Sequence, residues 1–337
     1  MRIKRIMKEL KRRRIGAALF GKQENIMALT GVSPSSALLK VDSRGACLYT
    51  DFRYFAEIRR KRPDLEIGDL ARLSKEGLPG VRRIGYEADI AHSKFLALEK
   101  ANPNARLVEV GSIVASLRAV KTKDEIAKIS KAERLTVKIW REASSSFRPG
   151  MTEIDMARKI RSLMAEYSDG EAFNTIVCIG ANAAECHHVP DGTKWSGKEP
   201  VLVDMGVRLD GVCSDLTRNL VPDTVSGEYR KVYATVAKAN RAAIAAVKAG
   251  MAAKDLDAVA RKIISDAGYA NCFGHSLGHG VGYEIHEAPT ISSKNPAVLE
   301  PGMVITIEPG IYLEGRLGVR IEDLVLVTQS GCKVLSR

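Results

Sequence analysis

The hydrophobic pattern of this chain changes character at about residue 120. Before that point short apolar runs alternate with helically spaced ones, a rhythm that predicts a compact α/β unit. Ile3, Ile6, Met7 and Leu10 recur at helical spacing and predict an amphipathic first helix. IGAALF (15–20) then reads as a strand, and ENIMALTG (24–31) as a short helix ending at Gly31. SALLKV (36–41) and ACLYT (46–50) read as strands around a turn at Asp42–Gly45. DFRYFAEIRRKRP is a helix stopped by Pro63, and IGYEADIAHSKFLALEKANP is strand, turn and helix ending before Pro103. His92 falls at the start of that last helix, away from any acidic cluster, and is assigned no chemistry.

Beyond a boundary near residues 118–124 the pattern turns to long amphipathic helices. Thr122 with Glu125, and Thr152 with Asp155, have capping-box spacing, so each pair opens a helix. A strand over EAFNTIVCIG and a loop over ANAAECHHVPDG lead into VLVDMGVRLDGVCSDLTRNLV (201–221). That segment reads as a hairpin whose turn is flanked by Asp204 and Asp215. A further helix over GMAAKDLDAVARKIISDAGYANC precedes a second hairpin, MVITIEPGIYLEGRLGVRIEDLVLV (303–327), with Glu308 and Glu322 about its Gly-rich turn. Helices followed by a carboxylate hairpin thus occur twice, over 150–221 and 252–327. This weak repeat is the trace of a pseudo-twofold fold in which the two hairpins meet at the axis.

The second repeat also contains FGHSLGHGVGYEIHEAP (273–289), with His275, His279 and His286 among four glycines. Imidazole is the commonest metal ligand and the usual acid/base near neutral pH. The glycines argue against a regular helix, each costing about 1 kcal/mol relative to alanine. In extended backbone, residues an even number apart share a face, which puts His275 and His279 on one wall, with His286 near a turn. Strands as apolar as the two hairpins are buried, and buried carboxylates are costly unless paired or metal-bound. Four carboxylates and one histidine suit two divalent cations, four negative charges balancing four positive ones. The oxygen-rich ligand set favours manganese, cobalt or zinc without choosing among them.

Composition adds limits. With 45% hydrophobic and 27% charged residues, the chain has material for a sizeable core. No apolar run approaches the roughly 20 residues of a membrane span. The N-terminal MRIKRIMKELKRRRIG lacks the apolar segment of a secretory signal. Six scattered cysteines without a CxxC pair fit free thiols in a reducing cytoplasm. Charge is uneven: residues 1–120 hold 24 Lys/Arg against 13 Asp/Glu, a net of +11 out of +12 overall. A nucleic-acid surface would call for interleaved aromatics or a recognised motif, and neither is present. The bases near the N-terminus read instead as the solvated face of the first helix.

The motifs VDMG, SDLTR, HSLGHGVGYEIHEAP, TIEPGIY and GVRIED together resemble the prolidase, aminopeptidase P and creatinase family, the pita-bread metallopeptidases. NIMALTG, TDFRY and IGYE resemble the family's N-terminal domain, so the likeness runs through essentially the whole chain. It implies a creatinase/prolidase-type α/β domain over 1–120 and a catalytic pita-bread domain over 121–337, in a homodimer. It also implies five metal ligands, Asp204, Asp215, His279, Glu308 and Glu322, with Asp215 and Glu322 bridging two ions. Glu308 is then the general base, and His286 contacts the substrate carbonyl or the developing oxyanion. A further histidine is expected from the loop before Asp204. His187, 17 residues ahead of it, fits the motif better than its neighbour His188. His275 and Arg320 are expected beside the ligands, either supporting a ligand or touching substrate, and Phe173 in a pocket for the proline ring.

The implied reaction is hydrolysis of the bond between an N-terminal residue and a following proline. Some prolidase-like relatives carry an arginine just after HExP, where this chain has Thr290. An Xaa-Pro aminopeptidase is therefore expected ahead of an Xaa-Pro dipeptidase. Creatinase-type amidinohydrolases do not keep the five-ligand set and rank lower. A metal-free binding module also ranks lower, because fold relatives that lost catalysis lose ligands, and a nucleic-acid-binding protein comes last.

Overall fold

Helix α1 (Arg2–Arg12) buries Ile6 and Leu10 and exposes Lys4, Arg5, Lys8, Lys11 and Arg12, as its spacing predicts. The structure, a computed structural model describing residues 2–337, has two units, one ending at Arg118 and the other Ala119–Arg337. In the first, strands β1 (Ala17–Phe20), β2 (Ala37–Asp42), β3 (Gly45–Thr50), β4 (Glu66–Asp69), β5 (Arg83–Tyr86) and β6 (Arg106–Glu109) form one sheet. Its order is β4-β3-β2-β1-β5-β6, antiparallel from β1 to β3 and parallel where β4, β5 and β6 join. Helices α2 (Gln23–Thr30), α3 (Phe52–Lys61), α4 (Leu70–Glu76) and α5 (His92–Ala101) connect the strands, and α6 (Gly111–Ala119) follows the last of them. One core joins Ile6, Ile58 and Val114 to Phe20 and Leu39, while a smaller one joins Leu73 to Leu19 and Ile84. β4, α4, β6 and α6 escaped sequence reading because EIGD and RLVE, exposed at both ends, carry almost no alternation.

In the second unit both capping boxes form: Thr122 and Thr152 accept the Glu125 and Asp155 N–H groups and open α7 (Lys123–Ser146) and α8 (Glu153–Tyr167). Strands β7 (Ile176–Ile179), β8 (Val201–Met205), β9 (Arg208–Leu209), β10 (Val212–Cys213) and β11 (Leu216–Leu220) follow. Helices α9 (Gly227–Ala246) and α10 (Ala253–Asp266) precede β12 (Gly278–Gly280), β13 (Glu287–Ile291), β14 (Val304–Ile307), β15 (Gly310–Leu313), β16 (Leu317–Arg320), β17 (Asp323–Val327) and β18 (Cys332–Val334). Both larger sheets, β11-β8-β7 and β13-β12-β14-β17-β18, are antiparallel.

Each expected hairpin proves to be two nested ones. β8 and β11 pair outside β9–β10, and β14 and β17 pair outside β15–β16. The four acids lie near the joints between outer and inner ladders, which is why they come in pairs. Alternate residues of β14 and β17 face opposite ways. Val304 and Leu324 join the core built on α7 and α8, while Ile305, Ile307 and Val325 join the one built on α9 and α10. Among the described residues no helix is long and apolar enough to cross a membrane.

Candidate metal centre

The glycines around His279 are there for close approach. A Cβ on Gly278 would lie 2.1 Å from the Thr306 carbonyl oxygen, and one on Gly280 would lie 2.3 Å from that of Ala288. β12 can therefore press against β13 and β14 only as backbone, and His279 alone projects from it. The Thr306 hydroxyl accepts the His279 N–H at 3.0 Å and donates to Glu308 Oε1 at 3.1 Å, locking two ligand candidates together. His279 Nδ1 faces the Gly280 carbonyl at 3.2 Å, which puts a proton on Nδ1 and turns Nε2 toward the carboxylates. Nε2 lies 3.2 Å from Glu308 Oε1 and 3.6 Å from Asp215 Oδ2. Asp215, His279 and Glu322 each offer a ligand atom, all within 4.8 Å of one another.

Asp204, on β8 directly opposite Thr217, is held differently. Its Oδ2 accepts Arg320 Nη2 at 2.7 Å, whereas its buried Oδ1 has no partner. The same guanidinium donates from Nε to Thr217 Oγ1 at 3.1 Å and from Nη1 to Tyr312 Oη at 3.0 Å. Thr217 in turn donates to Glu322 Oε2 at 2.9 Å. Arg320 thus forms an ion pair with Asp204. His275 continues the chain: its Nε2 meets Tyr312 Oη at 2.8 Å and its Nδ1 the Ser276 carbonyl at 2.8 Å, leaving no free ring nitrogen.

Burial and crowding shift these acids in different directions. Burial, then the neighbouring carboxylates, hold Asp215 and Glu322 well above the usual carboxylate range. Burial raises Asp204 too, against the pull of Arg320. Glu308 goes the other way: burial would raise it, but the hydrogen bond and charge of His279 keep it low. Behind Asp215, the wholly buried Glu133 of α7 accepts the Asp215 N–H at 3.2 Å, and burial pushes its carboxyl up to about 7. Crowded buried acids, an orphaned Asp204 oxygen and an imidazole nitrogen aimed at the acids fit a site for divalent cations.

The other histidines divide clearly. His286 is exposed and meets His279 edge to face, ring centroids 4.4 Å apart. Burial, then His279, lower its pKa, with His187 adding to the effect. His188 points elsewhere, onto Glu153 at 2.7 Å and Glu185 at 3.1 Å. Glu287, next to His286, accepts Lys121 Nζ at 3.1 Å in an ion pair whose side chains are almost wholly buried. Phe173 is half-buried beside Gly206, where a Cβ would come within 2.9 Å of its ring. Thr290 is exposed and pairs with His279 in the β12–β13 register. Thr217, Tyr312 and Glu133 were not singled out from sequence. The first two stand inside SDLTR and TIEPGIY, and Glu133 is an acid on the buried stripe of Ile129, Ala132 and Thr136.

Comparison with known proteins adds the rest. Residues 2–120 match the creatinase/prolidase N-terminal domain, and residues 127–329 match metallopeptidase family M24. A Pyrococcus furiosus protein described as an Xaa-Pro dipeptidase is 34% identical over 341 residues, covering 100% of this chain and 97% of its own. The structure of the prolidase from Pyrococcus horikoshii OT3 has a TM-score of 0.95 at 32% identity, covering 100% of this chain and 98% of its own. That of an X-Pro aminopeptidase from Thermotoga maritima MSB8 has a TM-score of 0.90 at 30% identity, with coverage of 100% and 98%. A match over more than half its length, in the unit that carries the acid cluster, means that the chain belongs to metallopeptidase family M24. It is a metallo-exopeptidase with a creatinase/prolidase N-terminal domain and a pita-bread catalytic domain.

Proposed function

We propose that this peptidase hydrolyses Xaa-Pro dipeptides, with Xaa-Pro aminopeptidase activity as the second reading. The observation that carries it is full-length similarity to proteins named as Xaa-Pro dipeptidases or prolidases. Thr290 had put the aminopeptidase first. The named relatives support the reverse order, while the similar X-Pro aminopeptidase structure supports keeping the second reading. A homodimer is the assembly the family resemblance suggests.

Asp204, Asp215, His279, Glu308 and Glu322 would hold two divalent cations. When bound, such cations polarise the scissile carbonyl and lower the pKa of the attacking water. Glu308, steadied by His279 and Thr306, takes the water's proton for delivery to the departing prolyl nitrogen. His286, its pKa lowered, donates a hydrogen bond to the carbonyl oxygen as that atom gains charge. His187 serves the leaving side, and Phe173 packs on the proline ring. Arg320, Tyr312 and His275 keep Asp204 aimed. The test is hydrolysis of Ala-Pro against Ala-Pro-Ala by metal-stripped enzyme reloaded with manganese, cobalt or zinc. A higher kcat/KM for Ala-Pro is expected, and preference for the tripeptide would restore the aminopeptidase reading.

A further inference from the structure

The loop between β7 and β8 carries two adjacent histidines that do opposite things. His188 turns away from the metal centre toward the first residue of α8, Glu153, which is fully buried. Glu153 Oε1 accepts the Ile179 N–H at 2.7 Å and the Asn182 side-chain amide at 2.9 Å. Its Oε2 accepts the Asp191 N–H at 3.0 Å and faces His188 Nε2 at 2.7 Å. A carboxylate only accepts, so Nε2 carries a proton. The other ring nitrogen faces the Glu185 carboxylate at 3.1 Å, so it carries one too. Asp191 in the same loop adds a third negative charge, and Cys178 of β7 lies within reach of the Glu153 and Glu185 charges.

Glu153, His188 and Asp191 have the composition of a metal site. Their spacing decides against one. A tetrahedral ion with bonds of about 2.1 Å would hold nitrogen and oxygen about 3.4 Å apart, whereas His188 and Glu153 stand 2.7 Å apart, the distance of a shared proton.

We propose that His188, held as an imidazolium between Glu153 and Glu185, is the positioning residue that keeps His187 facing the substrate. This rests on the reading of His187 as a group acting at the leaving side. His187 lies inside the turn that the His188 N–H closes on the Glu185 carbonyl at 3.2 Å, so anchoring His188 to Glu153 and Glu185 fixes that turn and with it the direction of His187. Glu153 also ties both stems of the loop to α8, through Ile179 on one side and Asp191 on the other. Burial would lower the His188 pKa, but Glu153 and Glu185 outweigh it and raise it. The clamp is therefore complete below that pKa. As pH rises through it, one N–H is lost and the loop loosens.

The test compares His187→Ala, His188→Ala, His188→Gln and the double alanine variant, all metal-loaded, on Ala-Pro. His188→Ala should lower kcat about ten- to a hundredfold, the effect of a misplaced catalytic group, with KM and metal content near those of the unmodified enzyme. His188→Gln keeps one donor and should recover part of the loss. In the His187→Ala background, His188→Ala should have no further effect. An equal loss in both backgrounds, or unchanged kcat in His188→Ala, overturns the proposal. Full activity of His187→Ala would instead sink the reading of His187 itself. Should His188→Ala fail to fold, the pH profile of kcat decides: the unmodified enzyme should show an alkaline decline that His188→Gln lacks, and its persistence in that variant overturns the clamp.

Discussion

Thr217→Val removes one oxygen from the centre of the ligand network and leaves the shape nearly intact. Thr217 is fully buried, and its hydroxyl donates to Glu322 Oε2 at 2.9 Å while accepting Arg320 Nε at 3.1 Å. Hydrogen bonds to charged groups contribute about 1.5–3 kcal/mol each. Losing both leaves a buried guanidinium N–H and a buried carboxylate oxygen each one partner short. Arg320 then holds Asp204 less firmly, and Glu322 is free to rotate. Changes to such supporting contacts weaken metal affinity about ten- to a hundredfold, or roughly 1.4–2.7 kcal/mol. Calorimetric titration of metal-stripped protein with manganese should show Kd rising by that factor. Turnover of Ala-Pro at saturating metal should change only a few-fold, and Thr217→Ser should restore affinity. A folded Thr217→Val enzyme with unchanged manganese affinity would refute the idea that this hydroxyl organises the site.

Alanine at His279 should lower metal occupancy in elemental analysis, whereas alanine at His286 should cut turnover and leave occupancy unchanged; parallel metal loss would reject that division. Asp215 and Glu322, raised by burial and neighbouring carboxylates, bind protons more tightly folded than unfolded. Their protons stabilise the metal-free protein at low pH, and that gain is lost as pH rises through the raised values. Manganese should therefore lift Tm more at about pH 8 than at about pH 5, and equal shifts would contradict the account. Lys121→Met removes the buried cation facing Glu287, which keeps the Glu284 N–H, and should cost about 3–5 kcal/mol in urea denaturation. Adding Glu287→Gln should recover part of that loss, and a further loss would show that the pair is not held by charge.

The ligand candidates were legible because each broke a local rule. Acids inside apolar strands, and histidines among glycines that preclude a helix, are expensive unless something pays for them. The residues that support the ligands break no such rule. Thr217 and Tyr312 suit any strand, and their partners lie far along the chain, 105 residues away for Thr217 and Glu322. The tie that holds His188 was not legible, because Glu153 lies 35 residues from it and is unremarkable in a helix's first turn. Arg320 was legible as a residue near the site, but its pairing with Asp204, 116 residues distant, depends on how the two hairpins meet. In the N-terminal unit, strands with strong apolar runs were read correctly, and edge strands with half-exposed residues were not.

The ligand candidates are shared between two repeats. Asp204 and Asp215 belong to the one following α8, and His279, Glu308 and Glu322 to the one following α10. Each repeat has helices of its own, β14 and β17 contribute to both cores, and across the join run Arg320 to Asp204, Thr217 to Glu322, and Arg218 to Asp323 at 2.8 Å. Bound cations would act as rivets through that seam, closing loops far longer than any disulfide in a small protein spans. Their removal would leave both repeats folded and loosen the line along which they meet. A chelator would thus do to this enzyme what a reductant does to a cross-linked one, and amide exchange should quicken first along β8, β11 and β17.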